Sequence, residues 1–259
     1  MKFRLEIYDE IGSTNDVVKQ AISDGAAEGL AVIARRQTAG RGRQGRTWVS
    51  PEGSLYMSVL LRPESADPAT LSLVSGIAVL RALRKRCGEV ALKWPNDIVV
   101  PLAGGEQAQR PDESIAPKAT FPYRKICGIL AESRDGAICV GLGVNVHRPT
   151  EAFATNMAQP AYLADLVESC PEPTEIGREV LDELAVAYEL WKAEGFAPFA
   201  AECNDSDVLI GSHVAAQDAD GKIVAEGTAV RISDDGTMVL QAPDGALCTI
   251  RSGEVHLVH

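Results

Sequence analysis

Gln37-Thr38-Ala39-Gly40-Arg41-Gly42-Arg43-Gln44-Gly45-Arg46-Thr47-Trp48, continuing as Val49-Ser50-Pro51-Glu52-Gly53, is the stretch on which the fold class turns. Its glycines let backbone N–H groups turn inward and approach a ligand closely. Its arginines supply forked donors suited to phosphate or carboxylate. Gly40, Gly42 and Gly45 match the dinucleotide-binding spacing, and Gly40, Gly45, Arg46 and Thr47 match a phosphate loop with Arg in place of Lys. Both mechanisms need the loop to open a helix whose N-terminus faces the phosphate. Here the continuation is a turn that leads into a strand, so neither nucleotide-binding fold is expected. Taken alone, the segment is also compatible with a solvated loop without a ligand, or with an Arg/Gly loop for RNA, although interleaved aromatics are missing.

Outward from this loop, residues 30–34 and 54–61 are apolar enough for buried strands. Phe3, Leu5 and Ile7 alternate as in a half-buried strand. Ser13 or Thr14 then precedes Val17, Val18, Ala21 and Ile22 at helical spacing, in position to cap that helix. A second helix is expected over 68–87, with basic residues gathered at its C-terminal end. Short strands follow at 90–92, 98–100, 126–131 and 137–144. Residues 101–124 carry four prolines, two glycines and little periodicity, and read as a flexible surface insertion. A long helix runs over 174–191. The last fifty or so residues hold β-prone runs divided by turns at Gly221, Gly236 and Gly245. The expected class is therefore α+β. A mixed sheet backed by helices occupies 1–205 and a small all-β barrel occupies 206–259. The missing βαβ alternation counts against a doubly wound sheet.

Composition narrows the function classes. The 259 residues carry a net charge of -11, which argues against general binding to nucleic acid or anionic membranes. No apolar run approaches the length needed for a signal peptide or a membrane span. The six cysteines are scattered without metal or redox spacing, and the four histidines likewise. Reduced thiols in a cytoplasmic protein and no structural metal are expected.

Three further segments carry chemistry. Lys93-Trp94-Pro95-Asn96-Asp97 packs a cation, an aromatic, a rigid turn, an amide and a carboxylate into one turn of chain. Lys125-Ile126-Cys127-Gly128-Ile129-Leu130-Ala131-Glu132 opens a strand with a lysine. Gly141-Leu142-Gly143-Val144-Asn145-Val146 places two glycines on a strand, as where a ligand or another backbone comes close. Each alone is also explained by an ordinary strand end or turn.

In this order, with Ser13-Thr14-Asn15 upstream, the four segments resemble the signature of biotin–protein ligases, also called biotin–acetyl-CoA-carboxylase ligases. The resemblance covers nearly the whole chain, including the long helix and the C-terminal module with Gly253-Glu254-Val255. It implies a mixed-sheet catalytic domain followed by an SH3-like barrel. It also implies a two-step reaction. Biotin carboxylate attacks the α-phosphate of ATP, releasing pyrophosphate. A carrier-domain lysine then attacks the bound biotinyl-5′-AMP and displaces AMP. No covalent enzyme intermediate is formed, and no nucleophile–base pair is apparent.

The same resemblance assigns sites. Arg43, Lys125 and Asp97 are the expected catalytic residues. Biotin is expected at Ser13, Thr14, Asn15, Gln37, Gly40, Arg41, Gly42, Arg43, Lys125 and Gly128. ATP and the adenylate are expected at Arg43, Arg46, Trp48, Lys93, Asn96 and Asn145. Preplaced cations stabilise charge spreading over the α-phosphate. Lys125 would offset repulsion between two anions. Asp97 would receive or orient the incoming amine, which is mostly protonated near neutral pH. Lys93 could pair with Asp97 or with phosphate, and a structural ion pair fits equally well. A plain helix cap remains the alternative role for Ser13 and Thr14, and a core position the alternative for Trp48.

ATP and biotin are the implied substrates, with Mg²⁺ accompanying ATP. The partner is a biotin carboxyl carrier protein or domain, and the enzyme is a monomer or a homodimer. An acyl-adenylate hydrolyses if water reaches it, so ligand is expected to order the 40–46 loop. Larger members of the family carry an N-terminal helix-turn-helix. The catalytic signature here starts almost at Met1, so DNA binding is not expected. A lipoate or octanoate ligase or transferase of the same fold is the nearest alternative, and a non-enzymatic biotin-adenylate sensor the second.

Overall fold

The computed structural model describes residues 1–64, 68–102, 122–150, 160–218, 220–251 and 253–258. Seven strands form one mixed sheet in the order β1-β2-β3-β7-β6-β5-β4. These are β1 (Arg4–Ile11), β2 (Leu30–Gln37), β3 (Leu55–Leu61), β4 (Ala91–Lys93), β5 (Asp97–Pro101), β6 (Tyr123–Arg134) and β7 (Ala137–Val144). Only β1 and β2 run parallel; the other neighbours are antiparallel. The helix that joins β1 to β2, α1 (Thr14–Ser23), is what a parallel pair requires as a crossover.

Strand alternation divides the core. On β2 and β3, Leu30, Val32 and Leu60 lie under α1 with Val18 and Ile22. Their neighbours Ala31, Ile33, Leu55, Met57, Val59 and Leu61 face the other way, into the main core. That face is covered by α2 (Leu71–Arg84) and α3 (Pro173–Glu194), with α4 (Ala197–Ser206) beside them. α2 is buried almost all round, because it lies between the sheet and α3. α3 stops at Gly195, whose positive φ of 72° with extended ψ is a conformation that glycine adopts without a Cβ clash.

The C-terminal module is a five-stranded antiparallel sheet in the order β11-β10-β9-β8-β12. Its strands are β8 (His213–Gln217), β9 (Ile223–Ile232), β10 (Met238–Gln241), β11 (Leu247–Ile250) and β12 (Glu254–Leu257). Among the described residues no ladder joins β11 to β12. One apolar core runs through both parts, since Leu209, Val214, Ile232, Met238 and Val255 cluster with Trp94, Phe199 and Leu92.

The structure corrects several local expectations. Pro101 ends β5, and Tyr123 and Arg124 begin β6, so the ends of the anticipated insertion are ladder residues; residues 103–121 lie outside the described ones. Ile7 is 44% exposed while Phe3 and Leu5 pack against the core, because β1 is an edge strand that outruns its cover. Ser13 occupies the N-cap of α1 but makes no side-chain cap bond. α4 was not expected; it buries Phe199, Ala200 and Cys203.

Candidate active site

α1 covers only part of its face of the sheet. The uncovered part is the floor of a cleft of about 1160 Å³. The cleft is lined also by the 41–48 loop and by residues 253–256 at the start of β12, which touch each other through Arg43 and Arg46. β7 and β6 supply that floor with Gly141, Gly143 and Gly128. A Cβ on Gly143 would lie 2.7 Å from the Trp48 indole, and one on Gly128 would lie 2.9 Å from Lys125 Nζ and 3.0 Å from Trp48. A Cβ on Gly141 would overlap Asn15 Oδ1. Glycine is thus needed at three neighbouring floor positions so that Trp48, Lys125 and Asn15 can lie on the sheet.

Lys125 and Gly128 are three residues apart and would face opposite sides of a regular strand. Both face the cleft because the β5–β6 register shifts: Ile98 pairs with Cys127 and Val99 with Lys125. Ile126 is the extra residue of this β-bulge, which re-aims the lysine.

Across the sheet the site is graded. At the β2–β3 side, Gln37 Oε1 accepts from the Thr14 backbone N–H at 2.8 Å and from Thr14 Oγ1 at 3.1 Å. Ser58 Oγ lies 2.7 Å from Thr14 Oγ1 and 2.5 Å from Asn15 Oδ1, while Asn15 Nδ2 donates to Glu132 at 3.0 Å. Arg41 turns outward to Asp16 at 2.8 Å. At the centre lies buried Trp48, with Lys125 Nζ 5.2 Å from its ring centroid. Lys125 Nζ forms an ion pair with Asp97 at 2.7 Å. At the far side, Arg43 donates to Asn96 Oδ1 at 2.7 Å, and Asn96 Nδ2 donates to Ile129 O at 3.0 Å. Burial and the neighbouring Arg46 lower the Arg43 pKa, with Asp97 opposing them. Asn145 Nδ2 donates to Lys125 O at 3.3 Å, next to Arg148 and Tyr162 on the rim.

Lys93 does not pair with Asp97, although the two are ladder partners. Its Nζ donates to Val255 O of β12 at 3.0 Å, and Asp97 is taken by Lys125. Burial pushes the Lys93 ammonium below its usual range. The C-terminal module makes further contacts that sequence reasoning left unassigned. Gly253 O accepts from Arg43 at 3.4 Å, and Glu254 forms an ion pair with Arg46. Beneath this seam Asp207 accepts from the Trp94 and Leu209 backbone N–H groups at 2.6 and 2.8 Å. The cleft also gathers Tyr56 and Tyr162, which no motif pointed to.

Every expected site residue except Gly40 lines the cleft; Gly40 packs behind it against Trp48 O and Ser50. Arg41, Arg43, Arg46, Lys93, Arg124, Lys125 and Arg148 line it against the carboxylates Asp97 and Glu254. In a chain of net charge -11, this is a local site for an anion. Among the described residues, no group of three or more His, Cys, Asp or Glu could hold a metal ion.

The model of the biotin/lipoate A/B protein ligase family matches residues 8–147, and that of the biotin protein ligase C-terminal domain matches residues 209–258. The biotin–[acetyl-CoA-carboxylase] ligase of Paracoccus denitrificans is 31% identical over 86% of this chain and 89% of its own length. The enzyme of that name from Mycobacterium tuberculosis is 30% identical over 97% of this chain and 88% of its own. The bifunctional ligase/repressor BirA of Escherichia coli is 31% identical over 95% of this chain and 72% of its own. The structure of the Aquifex aeolicus biotin protein ligase in complex with biotin and ATP superposes with a TM-score of 0.80 at 26% identity, covering 98% of this chain and 99% of that chain. A seven-stranded sheet with a glycine floor, a cation-lined cleft and the matched C-terminal module place the chain in the biotin/lipoate A/B protein ligase family, as a biotin protein ligase.

Proposed function

We propose that this chain joins biotin to the AMP part of ATP, releasing pyrophosphate, and passes the biotinyl group to a lysine of a biotin carboxyl carrier protein or domain. The grading of the cleft carries the reading. A hydrogen-bonding end at Thr14 and Gln37, a flat apolar centre under Trp48 and a cationic end at Lys125 and Arg43 follow one another across the sheet. Biotin presents a urea head, an apolar body and a terminal carboxylate in the same order. A dithiolane or an alkyl chain, as in lipoate or octanoate, has no N–H or C=O for Thr14 and Gln37, and would leave buried polar groups unmatched.

In the first step a biotin carboxylate oxygen bonds to the α-phosphorus of ATP, and pyrophosphate leaves with the electron pair of the broken P–O bond. Lys125 and Arg43 reduce repulsion between the two anions and stabilise the charge spread over the phosphoryl oxygens. Arg46, Lys93, Asn96 and Asn145 complete the nucleotide side, and Trp48, at the middle of the floor, borders both biotin and the adenylate. Ser13, Asn15, Arg41, Gly42 and Gly128 complete the biotin side, with Gly40 shaping it from behind. Mg²⁺ enters on the ATP phosphates as part of the substrate. In the second step the carrier amine bonds to the acyl carbon and AMP leaves. Asp97, 2.7 Å from Lys125, is placed to take the proton from that amine. Biotin or biotinyl-AMP then orders the 40–46 loop over the intermediate, protecting it from trypsin. Equal cutting with and without ligand would sink that closure.

The residues named all come from one chain, so a monomer or a homodimer serves the chemistry equally. The net charge of -11, with cations concentrated in the cleft, supports the absence of DNA binding by this segment. The six cysteines are free, which supports work in the cytoplasm. No helix among the described residues is long and apolar enough to cross a membrane.

The test is transfer of labelled biotin to a biotin-carrier domain with MgATP. ATP-dependent labelling of the carrier lysine, lost in Arg43→Ala and Lys125→Ala, is expected. Transfer of lipoate or octanoate instead would keep the fold and overturn the substrate. Pyrophosphate release without any transfer would mark an adenylate sensor.

A further inference from the structure

Ser50 is buried, lies behind the cleft rather than in its lining, and has no part in the roles above. Its Oγ accepts from Gln37 Nε2 at 2.9 Å and donates to the Trp48 carbonyl at 2.8 Å. These two bonds end a chain that starts at Thr14. Ser58 Oγ faces Asn15 Oδ1 at 2.5 Å as well as Thr14 Oγ1 at 2.7 Å, and its one proton goes to the amide oxygen, which can only accept. Thr14 Oγ1 donates to Gln37 Oε1 at 3.1 Å. Gln37 Nε2 then donates to Ser50, and Ser50 to Trp48 O. Each hydroxyl has one proton, so the chain runs in one direction only. Thr14, having given its proton to Gln37, meets the cleft as an acceptor. Gln37, with its carbonyl held by Thr14 and one amide proton held by Ser50, meets the cleft as a donor.

A carbonyl cannot donate, and Trp48 O therefore fixes the sense of the chain at its end. Gly40 shows that the end is built. A Cβ there would overlap Trp48 O and Ser50 Oγ and come within 3.1 Å of Gln37 Nε2. The first glycine of the Gly/Arg loop thus clears the space in which Ser50 joins Gln37 to the Trp48 carbonyl.

We propose that Ser50 is a positioning residue for recognition of the biotin ring. By accepting from Gln37 and donating to Trp48 O, it sets which atoms of Thr14 and Gln37 face the cyclic urea as acceptor and as donor. The proposal rests on the biotin reading above.

Biotin-dependent exchange of labelled pyrophosphate into ATP, on the full chain, tests it. In Ser50→Ala the biotin KM should rise about tenfold, the effect of leaving one buried polar group unmatched. The ATP KM and the kcat should stay within about twofold, a split that a general loosening of the fold would not produce. Placed on Gln37→Ala, the same substitution should change the biotin KM by less than about twofold, because Ser50 acts through Gln37. An unchanged biotin KM in Ser50→Ala, or an equal rise in both backgrounds, overturns the proposal. If Ser50→Ala does not fold, the nearly isosteric Ser50→Cys, a weak donor, replaces it under the same criteria. No exchange by the wild type would overturn the ligase reading and this proposal with it. Exchange by the wild type with an unmoved biotin KM in the variant overturns this proposal alone.

Discussion

On the side of the sheet toward α2 and α3, β3 presents Leu55, Met57, Val59 and Leu61, all fully buried in one apolar cluster. On the other side the same strand presents Tyr56, Ser58 and Leu60; Ser58 and Leu60 lie under α1, and Tyr56 reaches the cleft. The back of the sheet is held by volume: side chains fill the space to α2 and α3, and losing one leaves a cavity. The front is held by absence. Gly128, Gly141 and Gly143 keep the floor flat, and Trp48, Lys125 and Asn15 occupy the room a Cβ would take. The two faces share a backbone, so damage to the back should act on stability and damage to the front on chemistry.

Substitutions on the two faces should separate on that basis. The largest effect should come from Lys125→Ala, which removes the cation from the centre of the front. Pyrophosphate release should fall on the order of 10³-fold with the far-UV spectrum unchanged, by analogy with loss of a preplaced charge. Retention of half the activity would mean that the front centre is not where charge develops. Gly143→Ala comes next. Its Cβ would press on the Trp48 indole at 2.7 Å, and displacement by about 1 Å should cost on the order of 10²-fold in adenylation. Normal turnover in this variant would break the claim that the glycine floor is functional.

Met57→Ala probes the back. It should lower stability by about 2–3 kcal/mol in urea unfolding while activity per folded molecule holds. A fall in kcat without a loss of stability would erase the distinction between the faces.

Asp207 tests the seam that joins the front to the C-terminal module. Burial pushes its carboxyl up to about 7, whereas an unfolded aspartate titrates near about 3.9. Between these values the folded chain keeps a proton that the unfolded chain has lost. The stability tied to this group is full below about pH 4 and declines as pH rises to about 7. Urea unfolding of the wild type and Asp207→Asn across that window should therefore show a falling difference between them. Parallel curves would remove the titration from the seam. The smallest effect is expected for Arg81→Gln on the back, which breaks the two-pronged bond to Glu202 between α2 and α4 at 2.6 and 3.1 Å. About 0.5 kcal/mol and no change in activity should result, since the pair is partly solvated.

Much of this was legible in the chain itself. The apolar runs of β2, β3 and β7 and the period of α3 are local patterns, and the structure keeps them with shifts of a few residues at the ends. The turn after Trp48 excluded a loop-to-helix phosphate site, and the loop indeed feeds β3. α4 was not legible, since Ala197–Ser206 has a weak apolar stripe and draws its cover from α2 and α3. Ser58 could have been noticed, because one polar residue inside an otherwise apolar strand needs a partner. Tyr56 offered no such signal.

By itself the sequence determined the kinds of groups available and their order: a cation-rich glycine loop, a Lys-Trp-Pro-Asn-Asp turn, a lysine opening a strand and two glycines on another. These are local facts, set by spacing and residue type. The tertiary structure alone decided who meets whom. The bulge at Ile126 turned Lys125 onto the face of Gly128 and gave it Asp97, leaving Lys93 to the carbonyl of Val255. The same packing brought β12 against Arg43 and Arg46, about two hundred residues away in the chain. Such pairings depend on register and on burial, and both are settled only when the whole sheet closes over its core.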